Sequence, residues 1–344
     1  MIRAVVTFFP GRVVAALLAG ALVLAGCGTT ARVAAIAGTP SISIAVPLRT
    51  VACTGTGTCV AVGASGADTG PATAGEYRAA TGPWRALPVP AAPSSQVIAS
   101  SCWSDGCLFG GARPSGDLVW YYDALTRTMS EVRSPAGGSD VSQLSCFAAS
   151  SCALVDTTGI AAGARISFST DAGATWTHPV DVTMAGGARV TALSCTSASD
   201  CLVVVTSPNS TSSIESTSDA GGTWTSVAIP ATWQLVSSLS CHALDCAALV
   251  GAASGPRFAR SRDGGLTWRS TALSDQANAA ACTAQGRCVL VGQSGPHQAW
   301  LATVVNKKLK SRALQYVPSP LNDVACGART CAAIAVSTLV ALQP

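Results

Sequence analysis

The chain has 344 residues, of which 49% are hydrophobic and only 11% charged, with 33 glycines and 18 prolines. That length and apolar content allow a sizeable core, and low charge with abundant Val, Thr, Ser and Gly points to strands and turns rather than long surface helices. A net charge of +4, with no basic cluster beyond "NKKLKSR" (Asn306–Arg312), read as a solvated hairpin turn, excludes a nucleic-acid footprint.

The first element is an export signal. Arg3 and Arg12 flank an apolar stretch from Val13 to Gly26, long enough for a secretory core but short of the ~20 residues that span a bilayer. It ends in Leu24-Ala25-Gly26-Cys27, which resembles the bacterial lipobox. The resemblance implies that residues 1–26 are removed and that Cys27 becomes a diacylated N-terminus, palmitate being the expected type of acyl chain. Residues 27–40 then form a flexible tether. The expected location is the cell envelope, on the outer side of the cytoplasmic membrane, where disulfides persist.

The body, residues 41–344, reads as one domain. Its other 14 cysteines fall into seven close pairs: Cys53/Cys59, Cys102/Cys107, Cys146/Cys152, Cys195/Cys201, Cys241/Cys246, Cys282/Cys288 and Cys326/Cys331. First members are 41 to 49 residues apart, with a mean of 45.5, a period that signals a repeat architecture. Each pair sits in an apolar–Cys–polar turn–Cys–apolar phrase such as "LSCTSASDCLVVV", a β-hairpin with a cysteine at each end of its turn. We therefore expect seven local disulfides, although pairing between hairpins is also compatible with the spacing. Structural zinc needs its ligands in fours, and each hairpin offers two thiols while the chain has three histidines; no metal and no cofactor are expected.

About 20 residues after three of the Cys hairpins come "STDAGATW" (Ser169–Trp176), "TSDAGGTW" (Thr217–Trp224) and "SRDGGLTW" (Ser261–Trp268). These phrases resemble the Asp-box, or BNR, repeat of sialidase-like β-propellers, the middle copy departing by Thr217. Asp171, Asp219 and Asp263 suit an Asx-type turn. Gly173, Gly221 and Gly265 can take positive φ. Trp176, Trp224 and Trp268 can pack between sheets. All nine are read as structural. In repeats one, two and six the motif is eroded.

One repeat is thus strand, Cys turn, strand, loop, strand, aspartate turn, strand. The expected fold is all-β: a seven-bladed β-propeller of four-stranded antiparallel blades, in which an N-terminal strand, Ser41–Val46, completes the last blade. Both kinds of turn should lie on one face of the disc. Ligand-binding residues are expected on the opposite, loop face, with Arg113, Arg189, Trp233, Arg257 and His297 as candidates. No catalytic constellation is evident. The preferred reading is a lipid-anchored, non-catalytic module for a protein or glycan. Two alternatives follow from the resemblance. One is a sialidase-like glycoside hydrolase, which would need an arginine triad, a Tyr–Glu pair and an Asp, with no Arg-Ile-Pro element here to support it. The other is an assembly factor for a membrane complex, since photosystem II assembly factors share this fold and repeat.

Overall fold

The computed structural model describes residues 48–63, 74–78, 82–90, 95–135, 138, 140–157, 163–182, 184, 186–283, 286–296, 298–305, 308–314, 317, 319–328, 330–335 and 338–342. The leader, Cys27, the tether, the strand read at Ser41–Val46 and His297 lie outside the described residues.

The protein is a seven-bladed β-propeller. Each blade is an antiparallel sheet whose strands neighbour one another in chain order. Blade 1 runs over residues 48–87, blade 2 over 96–132, blade 3 over 140–182, blade 4 over 189–227, blade 5 over 233–272, blade 6 over 276–314 and blade 7 over 323–342. Six sheets have four strands, and blade 7 shows three among the described residues. The first strands of successive blades stand side by side round the axis, and the ring closes where the first strand of blade 7, Asp323–Cys326, meets that of blade 1, Leu48–Cys53. Ring formation leaves the inner strands no free edge.

No blade has a core of its own. The apolar side chains form seven clusters, each at the seam between two neighbouring blades. The reason is the two-residue period of a strand. In the second strand of blade 4, Cys201–Thr206, Val203 and Val205 face the blade 3 seam while Leu202 and Val204 face blade 5. Such strands are buried on both faces, so they read as unbroken apolar runs like "CLVVV" rather than alternating ones. At about 25 cal/mol per Å² of apolar surface, the seams supply the main driving force, and each blade depends on its neighbours for it.

All seven cysteine pairs are local disulfides: Cys53–Cys59, Cys102–Cys107, Cys146–Cys152, Cys195–Cys201, Cys241–Cys246, Cys282–Cys288 and Cys326–Cys331. Pairing between hairpins, which the spacing left open, does not occur. Each bond staples the hairpin between the first and second strands of its blade. Its two ends differ in a way that the sequence did not show. The second members, Cys59, Cys107, Cys152, Cys201, Cys246, Cys288 and Cys331, are all buried and pack into the seams as small apolar side chains. The first members stand nearer the axis, and most are half-buried. The disulfides are thus structural, and none offers its buried sulfur to a ligand.

The aspartate turns hang beside these Cys turns by a repeated backbone bond. Ala172 donates to Ser150 (2.8 Å), Ala220 to Ser199 (3.1 Å) and Gly264 to Leu244 (2.9 Å), and in blade 2 Ala124 donates to Asp105 (3.0 Å). The two kinds of turn therefore share one face of the disc. The segment read as a basic hairpin turn, Asn306–Arg312, is corrected in part: Lys308–Leu314 is the fourth strand of blade 6, paired along Gln298–Val305, while Asn306 and Lys307 lie outside the described residues. The strand's Lys/Leu alternation suits an outermost position, where lysines discourage edge-to-edge pairing.

Candidate functional site: the axial cavity and the loop face

Six of the first strands carry a bulge that the sequence did not disclose. The ladder between first and second strands skips Arg49 in blade 1, Ile98 in blade 2, Ser142 in blade 3, Thr191 in blade 4, Ser237 in blade 5 and Asn278 in blade 6, and it skips a second residue in blade 3 (Phe147) and in blade 5 (Gln234). A bulge leaves its extra residue unpaired and re-aims its side chain. Ser142 turns back to its own blade, donating to the Val155 carbonyl at 3.3 Å. Arg49, Ile98, Thr191, Ser237 and Asn278 line an axial cavity of about 520 Å³. Thr50, Ser100, Gln143 and Asn322 join them, so hydroxyls and carboxamides stand among the alanines, cysteines and leucines of the wall. Among the described lining residues the titratable side chains are Arg49, His242 and Asp323.

Asp323 closes the ring. Its Oδ2 accepts from the Val51 N–H at 3.0 Å and the Thr50 hydroxyl at 3.1 Å, and its Oδ1 from the Val324 N–H at 2.8 Å. Burial outweighs these bonds and pushes its carboxyl up to about 6. Towards the turn face, a second cavity of about 450 Å³ is lined by the cysteine turns with Trp103, Phe147 and His242.

The loop-face candidates are spread over several blades rather than gathered. Arg113, at the end of Gly106–Arg113, places Nη1 2.7 Å from Glu131 Oε1. Arg189 opens the first strand of blade 4 and is exposed. Arg257 donates through Nε to the Ser270 hydroxyl at 2.9 Å and borders a groove of about 300 Å³ between blades 5 and 6, with Leu235, Pro256 and Gln276. Trp233 is buried, and its ring meets Trp268 edge-on with centroids 6.1 Å apart. It is a seam residue, not part of an exposed binding surface. None of these four lines the axial cavity among its described residues.

On this face the structure gathers Asp117, Asp140 and Asp156, which the sequence offers only as separate loop-face residues. Asp117 of blade 2 lies against Asp140 and Asp156 of blade 3, and burial together with repulsion from Asp156 and Asp140 pushes its carboxyl up to about 7. Asp156 is fully buried and offers one oxygen, Oδ1, to Arg165 Nε (3.0 Å) and Nη2 (2.9 Å). Both oxygens of Asp117, one of Asp140 and one of Asp156 have no hydrogen-bond partner. Among the described residues no group of three or more His, Cys, Asp or Glu side chains is placed to hold a metal ion.

At the seam of blades 1 and 2, Glu76 is buried between Arg78 Nε (2.7 Å) and Arg127 Nη2 (2.6 Å). Burial raises its carboxyl, but the two guanidiniums prevail and leave it below its ordinary value. Tyr122 is buried beside it. Glutamate, arginines and tyrosine here stand on third-strand and outer-turn positions, away from the axial cavity. They act as an interblade clamp.

The aspartate turns carry no open chemistry. In "SRDGGLTW" the Asp263 carboxylate accepts from the Ser261 hydroxyl (2.6 Å), the Thr267 N–H (2.9 Å) and the Thr267 hydroxyl (2.5 Å), while Ser261 Oγ accepts from the Gly265 N–H (2.8 Å). The same bonds recur at Asp171 and Asp219. Gly265 has φ +92°, and a side chain there would run into Leu202 of blade 4, so glycine is required twice over. Trp176 reaches back to blade 2, donating to the Arg133 carbonyl at 2.8 Å. Trp224 and Trp268 pack on the seams with blades 3 and 4.

No protein-family model matches this sequence, and no curated protein matches it. Solved structures do share the fold. A structure described as YCF48 bound to D1 peptide aligns with TM-score 0.61 and 13% identity, over 91% of this chain and 99% of that one. Virginiamycin B lyase from Staphylococcus aureus aligns with TM-score 0.62 and 11% identity, over 87% and 95%. The WD40 propeller domain of Doa1 aligns with TM-score 0.59 and 14% identity, over 87% and 93%. At such identities the likeness is one of fold.

Proposed function

We propose that this chain is a non-catalytic interaction module, held at the outer side of the cytoplasmic membrane by lipid on Cys27, that binds a protein partner through the axial cavity on its loop face. The observation that carries this is the cavity wall: hydroxyl and carboxamide side chains, among them Thr191, Ser237 and Asn278 on bulges, on blades pinned by seven disulfides. Fixed hydroxyls and amides match the N–H and C=O groups of an inserted peptide segment and cost little ordering on binding. Tryptophan, tyrosine and phenylalanine are missing among the described lining residues, so a sugar ring finds no stacking platform, which favours a peptide over a glycan. Arg49 is the one arginine among them, and no tyrosine or glutamate accompanies it; a sialidase-type reaction lacks its parts there. The peptide bound to YCF48 supports the same reading by analogy of fold, and an assembly role would be one form of it.

A photocrosslinking residue at Gln143 or Asn322 in intact cells should yield an adduct of defined mass. The same residue at Ser199, on the turn face, should not. The reading is overturned if neither cavity position crosslinks, or if purified protein cleaves fluorogenic glycosides.

A further inference from the structure

The aspartate turns are three copies of one structure, so their differences are informative. The variable positions hold Thr170 and Ala174 in blade 3, Ser218 and Gly222 in blade 4, and Arg262 and Leu266 in blade 5. The Cys-turn residue whose carbonyl holds each turn is Ser150, Ser199 or Leu244 in the same order. Only in blade 5 of these three do both turns carry a leucine. Leu244 is 65% exposed and Leu266 63% exposed, and the Gly264–Leu244 bond ties the two tips into one corner. Single exposed leucines are ordinary; two on tips tied into one corner make a small apolar patch.

The charge around them is positive. The nearby carboxylates are already engaged: Asp245 pairs with Arg260 at 3.0 Å, and Asp263 is taken up by its own turn. Arg262 and Arg269 are exposed, and no ion pair involves either among the described residues. The surrounding arc has the same sign. Residues 233–314, blades 5 and 6, hold nine Lys and Arg against three Asp and Glu, whereas residues 96–227, blades 2 to 4, hold five against eleven.

We propose that this corner of blade 5 docks on an anionic phospholipid surface. Leu244 and Leu266 enter the boundary between headgroups and acyl chains, and Arg262 and Arg269 meet lipid phosphates. Side chains on convex turn tips suit a deformable surface that closes around them, and the cationic surround selects negative headgroups. The docking needs neither Cys27 nor a partner in the axial cavity, and it leaves the loop face turned away from the bilayer. Leu125 provides an internal control. It is 81% exposed on the corresponding turn of blade 2, but its neighbours are Asp123 and the exposed Asp105, so anionic lipid should repel that corner.

The test is vesicle flotation of residues 27–344 carrying Cys27→Ser, so that neither the apolar leader nor an acyl chain contributes. Vesicles containing phosphatidylglycerol should carry the protein and release it as salt rises, while phosphatidylcholine vesicles should carry far less. Leu244→Ser and Leu266→Ser should each lower partition about tenfold, and Arg262→Ser about fivefold. Leu125→Ser should change nothing, and all four variants should keep the parent melting temperature. Equal binding to both vesicle types, no loss with Leu266→Ser, or an equal loss with Leu125→Ser overturns the proposal. So does a crosslinker at Leu266 that captures a protein in cells while the purified chain ignores phosphatidylglycerol.

Discussion

The same residue behaves in opposite ways on the two faces of this disc. On the turn face, Asp171, Asp219 and Asp263 are held below the ordinary carboxylate range, Asp263 at about 2, by hydroxyl and N–H donors from their own turns. On the loop face, Asp117, Asp140 and Asp156 are raised, Asp117 to about 7, by burial and, for Asp117, by the charge of the other two. The turns find their donors within four residues of the aspartate. The seam of blades 2 and 3 instead brings three carboxylates from different strands towards one guanidinium, Arg165, which serves a single oxygen of Asp156. Local geometry satisfies charge, whereas ring packing has buried more of it than it can pair.

The largest expected effect comes from relieving that excess. Asp117 titrates near 7 in the fold against an ordinary 3.8. Its fold contribution is therefore fully present below pH 4 and lost as pH rises through about 7. Asp117→Asn should raise unfolding free energy by roughly 4 kcal/mol at pH 8 and hardly at all at pH 4. Urea titrations at the two pH values check this, and an equal gain at both would contradict it. An uncharged change on the turn face is the intermediate case. Replacing Cys195 and Cys201 together by alanine should cost about 2 kcal/mol, with no dependence on pH between 4 and 8. A cost that varied with pH would show that the disulfide and the charges are coupled. The smallest effect is Asp263→Ala, which should lower the melting temperature slightly at neutral pH. Because the folded carboxyl is depressed, that difference should persist above pH 4 and fade as pH drops through about 2. A difference that survived at pH 1.5 would assign the turn's stability to something other than its carboxylate.

Much of the fold was legible in the sequence because its signals are short-range. Cysteines five or six residues apart across a turn announce a hairpin, and their recurrence counts the blades. The S/T-x-D-x-G-x-T-W phrases announce the second turn, since donors, acceptor and glycine all lie within eight residues. The burial of Cys107, Cys152, Cys246 and Cys288 was not announced, because the neighbouring blade supplies the atoms that cover them. The axial site was not legible either. A bulge changes no composition: Thr191 and Ser237 look like any polar residue in a strand until the ladder skips them. Trp233 read as a loop-face aromatic because the sequence does not tell which side of the strand start meets Trp268. Lys308–Arg312, now part of a strand, read with Asn306 and Lys307 as one turn because two lysines side by side resemble a solvated tip. Asp117, Asp140 and Asp156 were legible as loop-face residues but not as a cluster, because 39 residues of chain separate the first from the last and only the blade 2–3 seam joins them.

By itself the sequence determined the number of blades, the strand order within each, the cysteine hairpins and the chemistry of the aspartate turns. All of these rest on contacts made within one repeat of about 45 residues. The tertiary structure decided what meets across the seams and at the axis: which polar side chains enter the cavity, that Asp323 latches blade 7 to blade 1, and that the leucine-tipped corner of blade 5 lies in a basic arc while blades 2 to 4 form an acidic one. Several of those contacts, such as Ser145 with Cys195 and Ser194 with Cys241, span about one repeat, but nothing within a repeat says which side chains of the next one they meet. Ring geometry, rather than local propensity, selects them.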